Sequence, residues 1–195
     1  MREEFQALGL PPFAERGAVT DEYIRAFKEL WMSDNPTFEG KYCRFSDIAF
    51  LPKPMQKPHP PIWVGGESRR ALRRTAQLGN GWYPIDANPQ FPMGEPAQLT
   101  AGLQRLAAYA REAGRDPTEI EIIFRAHAYQ LSSGEATASN YPFRGSAAKV
   151  AADIRQYAAL GVGYLVLDFV RLSRSLDEML QHMEEFATQV RSQVE

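Results

Sequence analysis

Cysteine, histidine and net charge are all scarce in this 195-residue chain, and each shortage closes off a class of function. Cys43 is the only cysteine, so no disulfide can form within the chain, and a reducing, cytoplasmic setting is expected. Three histidines and that one cysteine lie far apart and provide no metal-ligand spacing. The formal net charge of −2 offers no electrostatic footing for nucleic acid or an anionic membrane. No apolar run approaches the roughly 18 residues of a membrane span. The opening "MREEFQALG" lacks the apolar stretch of a secretory leader. There is no Ser-His-Asp order, no Walker pattern and no GxGxxG, so serine-hydrolase and nucleotide-hydrolase readings have no support.

What remains is an ordinary globular composition, 44% hydrophobic and 24% charged, of a length that suits a single domain over 1–195. Residues 1–61 read as a helical and hairpin excursion. "REEFQALGLP" has the form of a helix tail closed by Gly9 and two prolines. "TDEYIRAFKELW" reads as a helix capped by Thr20, with Ile24, Phe27, Leu30 and Trp31 on one face. Gly40 punctuates two short extended runs, which suggests a small hairpin. Five prolines between Pro52 and Pro61 require an extended connector, because proline lacks the donor for a helix or a central strand.

From Ile62 a rhythm sets in. "IWVGG", "GWYPI", "EIEIIFRAHAY" and "YLVLDFV" read as strands, and a helical pattern follows each one. Val150, Ile154, Tyr157 and Leu160 stripe one helix. Leu176, Met179, Met183, Phe186 and Val190 stripe the last, which Ser175 and Glu178 would start as a capping box. The polar stretch "LSSGEATASNYPFRG" reads as a loop. Strands alternating with helices imply a parallel sheet, so 62–195 are read as four βα units. A complete (β/α)8 barrel takes about 250 residues. The expected fold is therefore α/β, an incomplete barrel.

In such a barrel the loops after the strands carry the chemistry. Gly65 and Gly66, followed by Glu67 and a capping Ser68, end a strand where a helix starts. Glycines let a backbone approach an anion, and a helix N-terminus offers unpaired N–H groups to it. A plain tight turn is the alternative reading. Arg69 and Arg70 add charge to such a site or are simply surface. Trp82 and Tyr83 either wall a pocket or pack beneath the loop. Arg125 and His127, two apart, would share a face and could bind an anion or move a proton; hydrogen bonding at a strand end is the alternative reading. Asp168 interrupts an apolar strand, where an unpaired carboxylate is costly; it either faces the barrel mouth in a catalytic role or pairs with Arg171 or Arg174. Glu119 and Glu121 read as solvated charge. His59 has no visible partner, His182 reads as structural, and Cys43 has no neighbouring base to make it a nucleophile.

Several stretches in order, "EEFQALGLPPFAERGAVTDEYIRAFKELW", F-x-G-x-Y at Phe38, Gly40 and Tyr42, "PPIWVGG" and "RRTAQLGNGWYP", resemble the luciferase-like monooxygenases. These are flavin- or F420-dependent oxidoreductases of the bacterial-luciferase type. The resemblance is dense over Glu3–Pro84 and looser beyond. Asn80 departs from it, since the family usually has Asp before Gly-Trp.

The resemblance implies a (β/α)8 barrel in which "PIWVGG" is strand five, so that strands one to four, roughly 100 residues of a full barrel, have no counterpart here. It implies FMN or coenzyme F420 as cofactor, with its phosphate at Gly65–Ser68, a weaker contact near Ile85, a small organic substrate and a homodimer. Two functions compete on this basis. One is an oxidoreductase in which the cofactor does the redox chemistry. The other is a non-catalytic half-barrel that self-associates or pairs with a chain supplying the other strands. A Schiff-base aldolase ranks below both, because none of the four strands contains a lysine.

Overall fold

The computed structural model describes residues 2–127, 129–132 and 141–194, and divides into two compact units, 1–62 and 63–195. Most of the loop expected between 131 and 145 lies outside the described residues.

In the first unit, α1 (Arg2–Ala7) is closed by Gly9 at φ +61°, and a 3-10 turn at Phe13–Glu15 leads into α2 (Arg16–Met32). This helix starts four residues before the expected cap. Thr20 lies inside it, and its hydroxyl donates back to the Arg16 carbonyl at 2.8 Å. Nothing in Arg16-Gly17-Ala18-Val19 forbids helix, so the 3-10 turn runs straight on and no side-chain cap is used. Ile24 is buried as expected, with Ala26, whereas Phe27 is exposed and stacks on Trp31 at 5.6 Å. The hairpin is present as β1 (Phe38–Glu39) and β2 (Arg44–Phe45), antiparallel. Glu22 organises its turn: its carboxylate accepts the backbone N–H groups of Lys41, Tyr42 and Cys43 at 2.9, 2.6 and 2.7 Å. The proline connector carries neither helix nor strand.

The second unit runs β3 (Trp63–Gly65), α3 (Arg69–Leu78), β4 (Gly81–Tyr83), α4 (Pro96–Glu112), β5 (Glu121–Ala126), β6 (Gln130–Leu131), β7 (Arg144–Gly145), α5 (Ala147–Ala159), β8 (Tyr164–Leu167) and α6 (Leu176–Gln189). The strands β3, β4, β5 and β8 form one sheet in that order, every pairing parallel. The short parallel pair of β6 and β7 falls in the stretch read as plain loop.

One face of the sheet is covered. Trp82, Ile122, Phe124 and Ala126 pack with Leu72, Ala76, Leu99, Leu106, Ala110 and Tyr157 of α3, α4 and α5. These helical residues recur at three- and four-residue spacing, which is why one stripe of each helix meets the sheet. On the other face Trp63 lies across Gly81: a Cβ on Gly81 would sit 2.7 Å from Trp63 Cδ1 and 2.6 Å from Ile123 Cδ1. The missing side chain lets Trp63 reach Tyr164, with ring centroids 5.5 Å apart, and the indole donates to Glu121 at 3.1 Å. Trp63 and Tyr164 remain 44% and 52% exposed.

The last helix departs from its pattern in two ways. Ser175 caps it by accepting the Glu178 N–H at 3.2 Å, but the Glu178 carboxylate accepts the Arg174 N–H rather than that of Ser175. Of the expected stripe, Val190 is fully buried while Leu176 and Met183 are exposed.

Candidate functional site

Because the four strands are parallel, their C-terminal ends, at Gly65, Tyr83, Ala126 and Leu167, fall on one rim of the sheet. Gly65 to Ser68, Tyr83, Ile85, Arg125, His127 and Asp168 lie along it.

After β3 the chain turns at Gly66, whose φ of +103° lies in the region open to glycine. Ser68 then caps α3, its hydroxyl accepting the Ala71 N–H at 3.3 Å. The N–H groups of Arg69 and Arg70 have no acceptor within the helix and point out of its end. Gly65 is exposed, and a Cβ there would meet only the Tyr83 carbonyl at 3.8 Å. Arg69 and Arg70 are exposed.

Trp82 takes the packed position of the two its sequence allows. It is fully buried against Gly102 and Met93, and its Nε1–H donates to the Gly66 carbonyl at 2.9 Å. It therefore holds the glycine turn from beneath and walls no open space. Tyr83 is half-buried on the other face, where it interacts electrostatically with Arg125.

Glu67 is buried, and its carboxylate accepts the Ile85 N–H at 2.9 Å and the Asn88 side-chain amide at 2.5 Å. The backbone donor of Ile85 is thus already engaged. The loop after β4 continues along β5, with Arg125 N–H donating to Pro84 and Asp86 N–H to Arg125.

Arg125 and His127 each find a carboxylate. Arg125 donates to Asp168 at 2.8 Å. This corrects the expectation of Arg171 or Arg174: adjacent parallel strands bring 125 and 168 together, across a separation local spacing cannot reveal. Burial works to raise the Asp168 pKa, but the hydrogen bond and charge of Arg125 outweigh it and hold the carboxyl below its usual range. His127 sits just past β5, where Asp86 accepts its backbone N–H at 3.0 Å and lies 3.0 Å from its Nδ1. That contact orients the ring and favours the tautomer protonated at Nδ1. Sequence reasoning passed over Asp86 and Asn88. Their signal was the pair of Asx residues in "IDANP" directly after a strand.

The remaining candidates are structural. Glu119 and Glu121 are both exposed, in keeping with solvated charge; Glu119 pairs with Arg115 at 3.3 Å and Glu121 accepts from Trp63. His59 is buried, with Nδ1 2.7 Å from the Pro60 carbonyl and its ring 5.9 Å from that of Trp31. His182 Nδ1 lies 3.1 Å from the Ser173 hydroxyl. Burial, and then the charge of Glu22, push the Cys43 thiol pKa up, which suits an inert cysteine. Among the described residues no group of His, Cys, Asp and Glu could hold a metal ion, and no helix is long and apolar enough to cross a membrane.

The chain is 44% identical over 87 residues to the FMNH(2)-dependent dimethylsulfone monooxygenase of Pseudomonas putida, a stretch covering 44% of this chain and 24% of that protein. Its fold is similar to that of the monooxygenase RslO1 from Streptomyces bottropensis, with a TM-score of 0.73 at 22% identity over 96% of this chain and 64% of that one. An F420-dependent secondary alcohol dehydrogenase, solved with an F420-acetone adduct, gives a TM-score of 0.69 at 18% identity, over 95% of this chain and 64% of that one. The chain thus spans less than two thirds of the length of these proteins. A family model described as luciferase-like monooxygenase matches residues 2–190, and the chain belongs to that family.

Proposed function

We propose that this chain contributes the cofactor-phosphate side of a flavin- or F420-dependent oxidoreductase of the luciferase-like monooxygenase family. The observation that carries this reading is the turn after β3. A positive-φ glycine, an exposed glycine with no side chain in the way and a serine-capped helix start together provide backbone donors and room for an anion. These features fit the phosphate of FMN or of F420 equally.

On this reading Gly65, Gly66, Glu67 and Ser68 hold the phosphate through backbone and hydroxyl groups. Trp82 supports the turn, and Tyr83 and Ile85 border the cofactor from the next strand. Arg125 and His127 stand on the same rim, each held by a carboxylate, in position to meet an anionic group or a proton of a small organic substrate. Bound there, the cofactor supplies the redox chemistry, while the protein orients it and keeps water away.

A second reading is favoured by the exposed Trp63 and Tyr164 and by the two unpaired edges of the sheet, β3 and β8, among the described residues. Here the four strands are strands five to eight of a barrel, and the open face and edges are covered by a second copy of the chain or by a partner carrying the other strands. A homodimer satisfies this reading as well as the first.

Titration of the purified chain with FMN and with F420, followed by cofactor fluorescence, tests the first reading. Saturable micromolar binding that is lost in Gly66→Asp supports an autonomous cofactor site. A folded chain that binds neither cofactor overturns it and leaves the half-barrel, whose mass in solution by light scattering then reports whether it self-associates.

A further inference from the structure

We infer that Glu67 is a positioning residue, whose carboxylate clamps the loop after β4 onto the glycine turn after β3 so that both meet a ligand as one rigid rim. The inference rests on the reading that this turn takes a cofactor phosphate, and it assigns the side chain a different task from the backbone around it. Glu67 is only 3% exposed. A buried carboxylate is costly unless its oxygens are hydrogen-bonded, and here each has a donor. Oε1 takes the Ile85 N–H at 2.9 Å and Oε2 the Asn88 amide at 2.5 Å. Asn88 passes the order on: its Oδ1 accepts the N–H groups of Gln90 and Phe91 at 3.0 and 3.3 Å. One carboxylate thus organises the loop from Ile85 to Phe91.

Charge sharpens the argument. A carboxylate beside a phosphate repels it, and the repulsion is stronger away from bulk water. If its charge were what mattered, removing Glu67 would tighten phosphate binding. If the clamp matters, removing it leaves two part-buried donors without their acceptor and loosens the loop, and binding weakens. The two accounts predict opposite signs.

The test uses the full chain and the variants Glu67→Ala, Glu67→Gln and Asn88→Ala. Amide hydrogen exchange without ligand reads the clamp directly. Segment 85–91 is expected to lose protection in Glu67→Ala and Asn88→Ala while α3 keeps its own. Fluorescence titration with FMN reads the consequence. Glu67→Ala is expected to raise the Kd on the order of tenfold, equivalent to about 1.4 kcal/mol, and Glu67→Gln, which keeps one acceptor, to recover part of the loss.

Unchanged protection of 85–91 in Glu67→Ala overturns the clamp. Lost protection with equal or tighter FMN binding overturns the positioning role. If α3 also loses protection in Glu67→Ala, Asn88→Ala, which removes only one bond, decides by the same two readouts. Absence of FMN and F420 binding by the wild-type chain overturns the cofactor reading and the shared rim with it, while the exchange data still decide whether Glu67 holds the loop.

Discussion

The indole N–H of Trp82 donates to the Gly66 carbonyl at 2.9 Å, joining the buried side of the sheet to the turn at its rim. Trp82→Phe keeps most of the ring volume and removes this donor. The expected cost is about 1–3 kcal/mol, the lost hydrogen bond together with the space a smaller ring leaves in a fully buried site, read from urea denaturation. If the bond steadies the turn, FMN affinity falls in the same variant.

The paired glycines are expected to differ. Gly66→Ala forces a side chain onto a φ of +103° and into contact with the Ala71 Cβ, so it should cost about 1–2 kcal/mol. Gly65→Ala has ordinary backbone and open space, and should stay within about 0.5 kcal/mol of wild type. Its effect is expected on ligand affinity, where a methyl now stands in the anion's approach. Parallel denaturation and FMN titration of the two variants separate the effects.

The Arg125–Asp168 pair fixes an acid-side signature. The Asp168 carboxyl is held below its usual range in the folded chain. Its contribution is therefore fully present above the unfolded value near 4 and is lost as pH falls through the lower folded value. Asp168→Asn should cost about 1–3 kcal/mol at pH 7, toward the lower end because Arg125 is partly solvated. Urea curves from pH 7 to pH 2.5 should show the gap between wild type and variant closing with acid. A gap independent of pH would refute the pairing.

The hairpin of the first unit depends on one carboxylate. Glu22→Ala removes the acceptor of three consecutive N–H groups, and amides 41–43 are expected to exchange faster while α2 stays protected. Gly40→Ala is expected to reproduce the effect, because its Cβ would collide with the Glu22 carboxylate. Exchange mass spectrometry on both variants checks this.

The architecture of the second unit was legible because its signals are local. Ser68 and Ser175 announce helix starts, Gly79 closes α3, and apolar spacing sets which stripe faces the sheet. What could not be read was whatever depends on strands being neighbours. Asp168 finds Arg125 across two strands, and Glu67 finds Ile85 across a β-α-β unit. The Thr20 cap failed for a related reason. A good cap residue is only a preference, and the 3-10 turn ahead of it had already begun the helix. Phe27, Leu176 and Met183 show the same limit in packing: an apolar stripe tells which face can be buried, and the neighbours decide whether it is.

The loop after β4 accepts a fastening from one side and supplies one to the other. Ile85 and Asn88 bind Glu67, and Asp86 holds His127. For anyone recombining parts of related enzymes, this makes the loop a poor unit of exchange. Transplanted alone, it would leave Glu67 and His127 without their counterparts, so a chimera must carry positions 67, 85–88 and 127 together. A mutagenesis library that varies these positions independently would consist mostly of mismatched sets.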